Sequence, residues 1–336
     1  MLNSAIYSRS TQTALLVLTL TAGLSAQVAQ KERYAFPPKT GVLTPGIQRS
    51  IAEIHPDTIF PVEGHPDWLA VTQNAVWVSS SNVNHVVHLN AITGKPDVII
   101  DVQKPCSGLV AAFGSVWIPS CDAHTLLRAT AVSGKLQAAV PIGPADSEGG
   151  ITAGAGSIWL VTSKESNLAR VDATTNAVIA NIPIPAGSFN PVFADGSVWI
   201  ASNDGNVLVQ VDAASNKLVK TIPIGPKPRF LTVGVGSIWT LNQGDGTISR
   251  VEIATGKLLA TIQAGIPGEG GEIAFGSGSI WATLFKFPIT RVDVVSNQVT
   301  QQWTGPGGDS IRVADGYVWL SNLAQGNVWR FKVPKL

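Results

Sequence analysis

Residues 230–265 read "FLTVGVGSIWTLNQGDGTISRVEIATGKLLATIQAG". Four short runs stand out: "FLTVG", "SIWTLN", "TISRVE" and "LLATIQ". Each is apolar or alternates apolar with polar residues, the pattern of a half-buried strand. Between them lie "VGS", "QGDG" and "IATGK", built from the residues that make tight turns. Nothing in the stretch carries a sustained helical period.

The same unit recurs along the chain. A turn followed by Val-Trp or Ile-Trp ends at Trp77, Trp117, Trp159, Trp199, Trp239, Trp281 and Trp319, at spacings of 38 to 42 residues. Trp68, Trp303 and Trp329 fall outside the motif. Four strands per unit, seven times over, predict an all-β fold: a seven-bladed β-propeller of four-stranded antiparallel blades. The seventh unit stops after its third strand, "NVWRFKV". Its missing outer strand has a counterpart before the first unit, where "TIFPVEGHP" (58–66) resembles "TIPIGPKP" (221–228). Residues 57–63 are therefore expected to complete the last blade. This 1+3 closure joins both ends of a ring spanning 57–336 and removes an open edge.

The repeated residues answer to packing. In "GSIW" the glycine suits a hairpin turn, and alternation sends the Val/Ile and the Trp to opposite faces. The motif tryptophans are read as core between blades. The strings "GAGS", "GVGS" and "GSGS" lack the GxGxxG spacing and a following helix, so they are hairpin turns. The asparagine or glycine of "TTNAV", "ASNKL" and "ATGKL" sits at the outer hairpin.

The 336 residues are 13% charged, with a net charge of +1. Lysine and arginine are scattered, which excludes a general electrostatic footprint for nucleic acid. Near the start, "TALLVLTLTAGL" (13–24) follows Arg9 and precedes Ser25 and Ala26. Residues 1–26 read as a secretory signal peptide, or an uncleaved anchor if no cut is made. No membrane span is expected after cleavage, and the product would be exported, periplasmic or secreted. Residues 27–56, with "FPPKTGVLTPG", read as an N-terminal extension or linker. A ring closed on itself is expected to be a monomer.

Functional positions are expected where chain enters the innermost strands, at one mouth of the central channel. Counting back nine to eleven residues from each motif tryptophan gives positions that differ from blade to blade. They supply Asp67, Trp68, Ser107, Glu148, Phe189, Asn190, Arg229, Phe230, Glu272, Asp309 and Ser310, with His65 at the rim. A few polar groups between aromatic walls fit a site for a small molecule, a peptide or a protein partner. The charges could equally line a water-filled channel. Three converging carboxylates would suit Mg²⁺ or Ca²⁺. HExxH, GxSxG, CxxC and P-loop patterns are absent. The five histidines, His55, His65, His85, His88 and His124, all lie in the first 124 residues. His85 and His88 face opposite sides of one strand. His124 is expected near the mouth.

The two cysteines close "PCSGLVAAFGSVWIPSC" (105–121). A hairpin centred between Phe113 and Gly114 pairs residues whose numbers sum to 227, as 106 and 121 do. Cys106 and Cys121 thus fall opposite each other, and an exported protein would oxidise them to a disulfide.

Seven units of the form "G(S/T)(V/I)W…(V/I)xR(V/I)D…(T/S)(G/N)K" resemble the virginiamycin B lyase (streptogramin lyase) group and the wider YVTN-repeat propellers, over residues 57–336. The resemblance implies a mouth histidine, glutamates and Mg²⁺ that open a cyclic depsipeptide by elimination. In "GEGGEIAFG", Gly271 stands where that histidine would be expected, and in "WATLF" Leu284 stands where a glutamate would. Two readings follow. One is a non-catalytic exported propeller with a ligand or partner at the channel mouth. The other is a lyase or hydrolase working through mouth carboxylates.

Overall fold

The computed structural model describes residues 34–80, 82–145, 149–163 and 167–335. The signal segment (1–26) and Glu148 lie outside the described residues. Seven antiparallel sheets run in sequence order: blade one spans 66–101, two 110–140, three 151–183, four 188–223, five 228–263, six 272–305 and seven 311–332. In each, the first strand is innermost and the last outermost. Blade seven has three strands of its own, and Thr58–Pro61 pairs antiparallel with Asn327–Lys332 as its fourth. The ring closes as its sequence implies.

Every motif tryptophan is buried. Trp77, Trp117, Trp159, Trp199, Trp239 and Trp281 are fully so, and Trp319 is 3% exposed. A buried indole removes roughly 150–250 Å² from water, which at ~25 cal/mol per Å² is about 4–6 kcal/mol before entropy. In most blades a second repeated residue, an arginine, covers it. In blades two, three, five and six the third-strand arginine lies over the ring, with Arg128, Arg170, Arg250 and Arg291 4.7–4.9 Å from the centroids. Each arginine Nε donates to the serine of the Gly-Ser turn at 2.8–3.1 Å. Each Nη1 crosses to a carbonyl in the next blade: Ala173, Ala213, Val294 and Pro334.

In three blades the clamp reaches the asparagine of the next outer hairpin, whereas Arg330 of blade seven donates to the Ala91 carbonyl of blade one beside Gly94, where no asparagine stands. Arg128, Arg170 and Arg250 also donate to Asn176, Asn216 and Asn297 at 2.8–3.0 Å. Blades one and four have His88 and Gln210 at the arginine position, paired to Trp77 and Trp199. The blades that follow them carry Gly134 and Gly256 in place of the asparagine. Both residue types reach the left-handed backbone the turn needs, but only asparagine offers an acceptor. His88 bonds instead to Asp97, at 2.5 Å.

The stretch read as an N-terminal linker does not hang free from Phe36 onward. Gly41 N donates to Gly265 O at 2.8 Å, and Val42 N to Gln302 Oε1 at 2.7 Å. Gln48–Ser50 then runs parallel to the outer strand of blade six as a fifth strand. Ser50 and Glu53 cap a short 3₁₀ turn after it. An open outer edge presents unpaired backbone groups, and this segment satisfies them. Its polar sequence gives no alternating pattern, so the pairing left no trace there.

Cys106 and Cys121 form a disulfide with Cα atoms 5.9 Å apart. The register Val110↔Trp117 and Ala111↔Val116 keeps the expected sum of 227. Among the described residues, no helix is long and apolar enough to cross a membrane.

Candidate functional site

The innermost strands surround a channel of about 360 Å³, lined by all seven blades. Its end at the strand entries was expected to be an open mouth with aromatic walls. Instead, Trp68 of blade one and Phe230 of blade five reach across the ring until their centroids are 6.0 Å apart. Trp68 is 6% exposed and Phe230 3%. The indole has room because Gly108 lacks a side chain, and a Cβ there would sit 3.3 Å from its ring. Further along the same strands, Val71, Ala111, Thr152, Val192, Thr232 and Val313 are half-buried. The channel is therefore closed at the entry face and accessible from the face that carries the Gly-Ser turns.

Two clusters flank this plug. The first gathers residues of blades one, six and seven: Asp67, Glu272, Asp309 and Ser310, around a crevice with about 20 Å³ of room, near the size of one water. Glu272 and Asp309 are buried. Glu272 Oε2 accepts from Arg312 Nη1 at 2.5 Å, from Ile311 N at 3.2 Å and from Ser310 Oγ. Thr283 Oγ1 sits between blades six and seven, accepting from Glu272 N at 2.7 Å and donating to the Asp309 carbonyl. Burial, seconded by the charge of Glu272, pushes Asp309 up to about 6, against the pull of hydrogen bonds to Asp67 and to the Gly271 N–H. A hydrogen bond between two carboxyl groups requires that one keep its proton.

The second cluster comes from blades four and five. Arg229 stacks on Phe189, with its guanidinium 3.8 Å from the ring centroid. Asn190 Nδ2 donates to the Arg229 carbonyl at 3.2 Å, and Asn190 is buried. Ser107 is buried too, and its hydroxyl accepts from Gly150 N at 2.9 Å, tying blade two to blade three beside the disulfide. His65 and His124 are exposed and join neither cluster.

Arg312 was missed by counting back nine to eleven residues, because it lies seven before its tryptophan. The signal was present. The other six blades carry Ala70, Val110, Thr152, Val192, Thr232 and Ala274 there. One charge among small and apolar residues on a channel-lining row marks a special position.

Asp67, Glu272 and Asp309 do not make a metal centre. Among the described residues no three His, Cys, Asp or Glu side chains are placed to hold an ion. Glu272 spends an oxygen on three donors, and Asp67 bonds to Asp309. Gly271, where a lyase histidine would be expected, has φ +78°, and a Cβ there would collide with the Thr283 carbonyl. Leu284 is fully buried in the core. This strand entry is built for glycine, so neither the histidine nor the Mg²⁺ chemistry implied by the resemblance fits these residues.

No family model and no curated protein matches the chain. Solved structures do. A streptogramin B lyase structure is 20% identical with a TM-score of 0.68, over 80% of this chain and 93% of that one. A catalytically inactive virginiamycin B lyase from Staphylococcus aureus with quinupristin is 19% identical with a TM-score of 0.67, over 80% and 95%. A chain of a mitotic checkpoint complex is 15% identical with a TM-score of 0.71, over 88% and 100%. At such identities the likeness is one of fold, and the fold is a streptogramin-lyase-like seven-bladed propeller.

Proposed function

We propose that the protein is an exported, non-catalytic propeller that docks a peptide or protein partner on the entry face of the ring. One observation carries this reading: Trp68 and Phe230 meet over the channel. With the channel closed there, a partner would bind on the face and not within the ring. Arg229, stacked on Phe189, and the half-exposed Asp67 would supply polar contacts on that face, with the exposed His65 at its rim. Arginine is a usual anchor of such surfaces, and the buried Trp68 and Phe230 would form the floor beneath it. A propeller of similar fold occurs within a mitotic checkpoint complex, so the scaffold is compatible with protein assembly.

The test is selection from a displayed random-peptide library on the wild-type protein, followed by binding to Arg229→Glu and Asp67→Lys. Selected peptides are expected to lose at least about tenfold in affinity on one of the two. Peptides that bind both variants as well as wild type would remove the entry face from consideration.

A second reading has one observation in its favour. Asp309, held near 6, could serve as a base in a lyase or hydrolase. It predicts turnover of quinupristin by the wild type and loss of turnover in Asp309→Asn. No turnover by the wild type rejects it for that substrate.

A further inference from the structure

The channel itself is a second concave site, and it opens on the opposite face from the one just discussed. Its volume of about 360 Å³ falls within the range of small-ligand pockets. Its walls include Leu69, Val71, Leu109, Ile151, Val192 and Phe275. Against them stands a single cation. Arg312 uses Nη1 on Glu272 and on the Ile311 carbonyl, at 2.5 and 2.7 Å. Its Nε and Nη2 make no hydrogen bond among the described residues, and the side chain is 29% exposed. At the blind end, Trp68 Nε1 and Asn190 Oδ1 also have no partner among the described residues.

We propose that this channel binds a compact carboxylic acid with an apolar body, entered from the Gly-Ser turn face. The free edge of Arg312 presents the paired N–H groups that match a carboxylate, the geometry for which arginine is better suited than lysine. Glu272 holds the guanidinium from behind and so fixes its direction. The aliphatic walls take the apolar body.

The probes are 3-phenylpropionate and octanoate, each compared with its primary amide, by calorimetry and saturation-transfer NMR on the wild-type protein. At least one acid is expected to bind below about 5 mM and at least about tenfold more tightly than its amide. Neither acid binding in that range overturns the proposal, and so do amides that bind as well as acids. Arg312→Lys keeps a positive charge beside Glu272 and is expected to weaken the acid about tenfold while leaving the amide unchanged. Thr152→Trp fills the lumen and should abolish binding of either acid. Retained binding in that variant means the acids sit elsewhere. The wild-type comparison of acid with amide decides the matter even if a variant fails to fold. The entry-face reading stands or falls separately, because its variants, Arg229→Glu and Asp67→Lys, should leave acid binding in the channel intact.

Discussion

The outer ring of arginine clamps and the seven strand entries use the same seven-fold repeat in opposite ways. In the ring, each tryptophan meets its own blade and the next, so equivalent residues meet equivalent neighbours. Arg128, Arg170, Arg250 and Arg291 accordingly make nearly the same bonds. At the entries, the strands converge on one axis, so Trp68 of blade one meets Phe230 of blade five across the ring, and Asp309 gathers Asp67 and Glu272 from the two blades beside its own. Repetition there would bring seven identical side chains into one small space. The positions must therefore differ, and each difference is fixed by a partner far away in sequence.

The largest test of this contrast is to remove one tryptophan from each region. Trp239→Ala leaves a dry void between blades and is expected to cost about 3–5 kcal/mol by urea denaturation. Trp68→Ala enlarges a channel that already exists, escapes much of the cavity term and should cost about 1–2 kcal/mol less. Equal losses would mean that the plug is packed as the ring is, and the distinction would fail.

Next in size is the staple beside the entry. Cys106→Ala with Cys121→Ala releases a loop with a separation of 15 residues, expected to cost about 3 kcal/mol in the chain-entropy model. Reduction of the wild type should lower the melting temperature to match. No change would place the entry loops' order in the Ser107–Gly150 bond alone. This staple was legible in the sequence because hairpin pairing is local arithmetic. So were the seven blades and their closure, since the Trp repeat and a surplus strand fix both. The entry cluster was legible only as a set of positions. Counting named Asp67, Glu272 and Asp309, but no local pattern says that Trp68 lies over Gly108 to reach Phe230. Arg312 was missed because the count stopped two residues short on the same face. The docked segment Gln48–Ser50 was missed because it buys stability through backbone pairing, which has no side-chain signature.

The two regions should also respond oppositely to pH. On the turn face, Asp172, Asp212 and Asp293 accept hydrogen bonds from Thr175, Ser215 and Ser296, which hold them below the usual carboxylate range. Groups lowered in the folded state stabilise it above the unfolded pKa, and that contribution is lost as pH falls through the folded value. Asp309 is raised to about 6 by burial, so the folded state binds its proton more tightly than the unfolded chain does. Its contribution favours the folded state at low pH and is lost as pH rises from the ordinary carboxylate range through about 6. Urea midpoints for wild type and Asp309→Asn, measured between pH 4 and 7, should show a decline in the wild type that is shallower in the variant. Identical slopes would mean that Asp309 is ionised like an exposed carboxylate.

The smallest expected effect bears on the ring alone. Asn216 and Gly256 occupy the same hairpin position with φ of 56° and 72°, so the turn accepts either residue. Asn216 differs in receiving Arg170 at 2.8 Å from the preceding blade, whereas Gly256 follows Gln210, which bonds only to Ser197 at 3.0 Å. If the asparagine serves the clamp, Asn216→Gly should cost about 1 kcal/mol, and less in an Arg170→Gln background where the donor is gone. If it serves only the turn, relief of left-handed strain and added chain entropy nearly cancel, and the two backgrounds give the same small change. A coupling near zero in this double-mutant cycle would return the asparagine to a turn residue and make its pairing with arginine within one chain an accident. A coupling near the full effect would establish that the repeat records contacts between blades as well as the shape of each one.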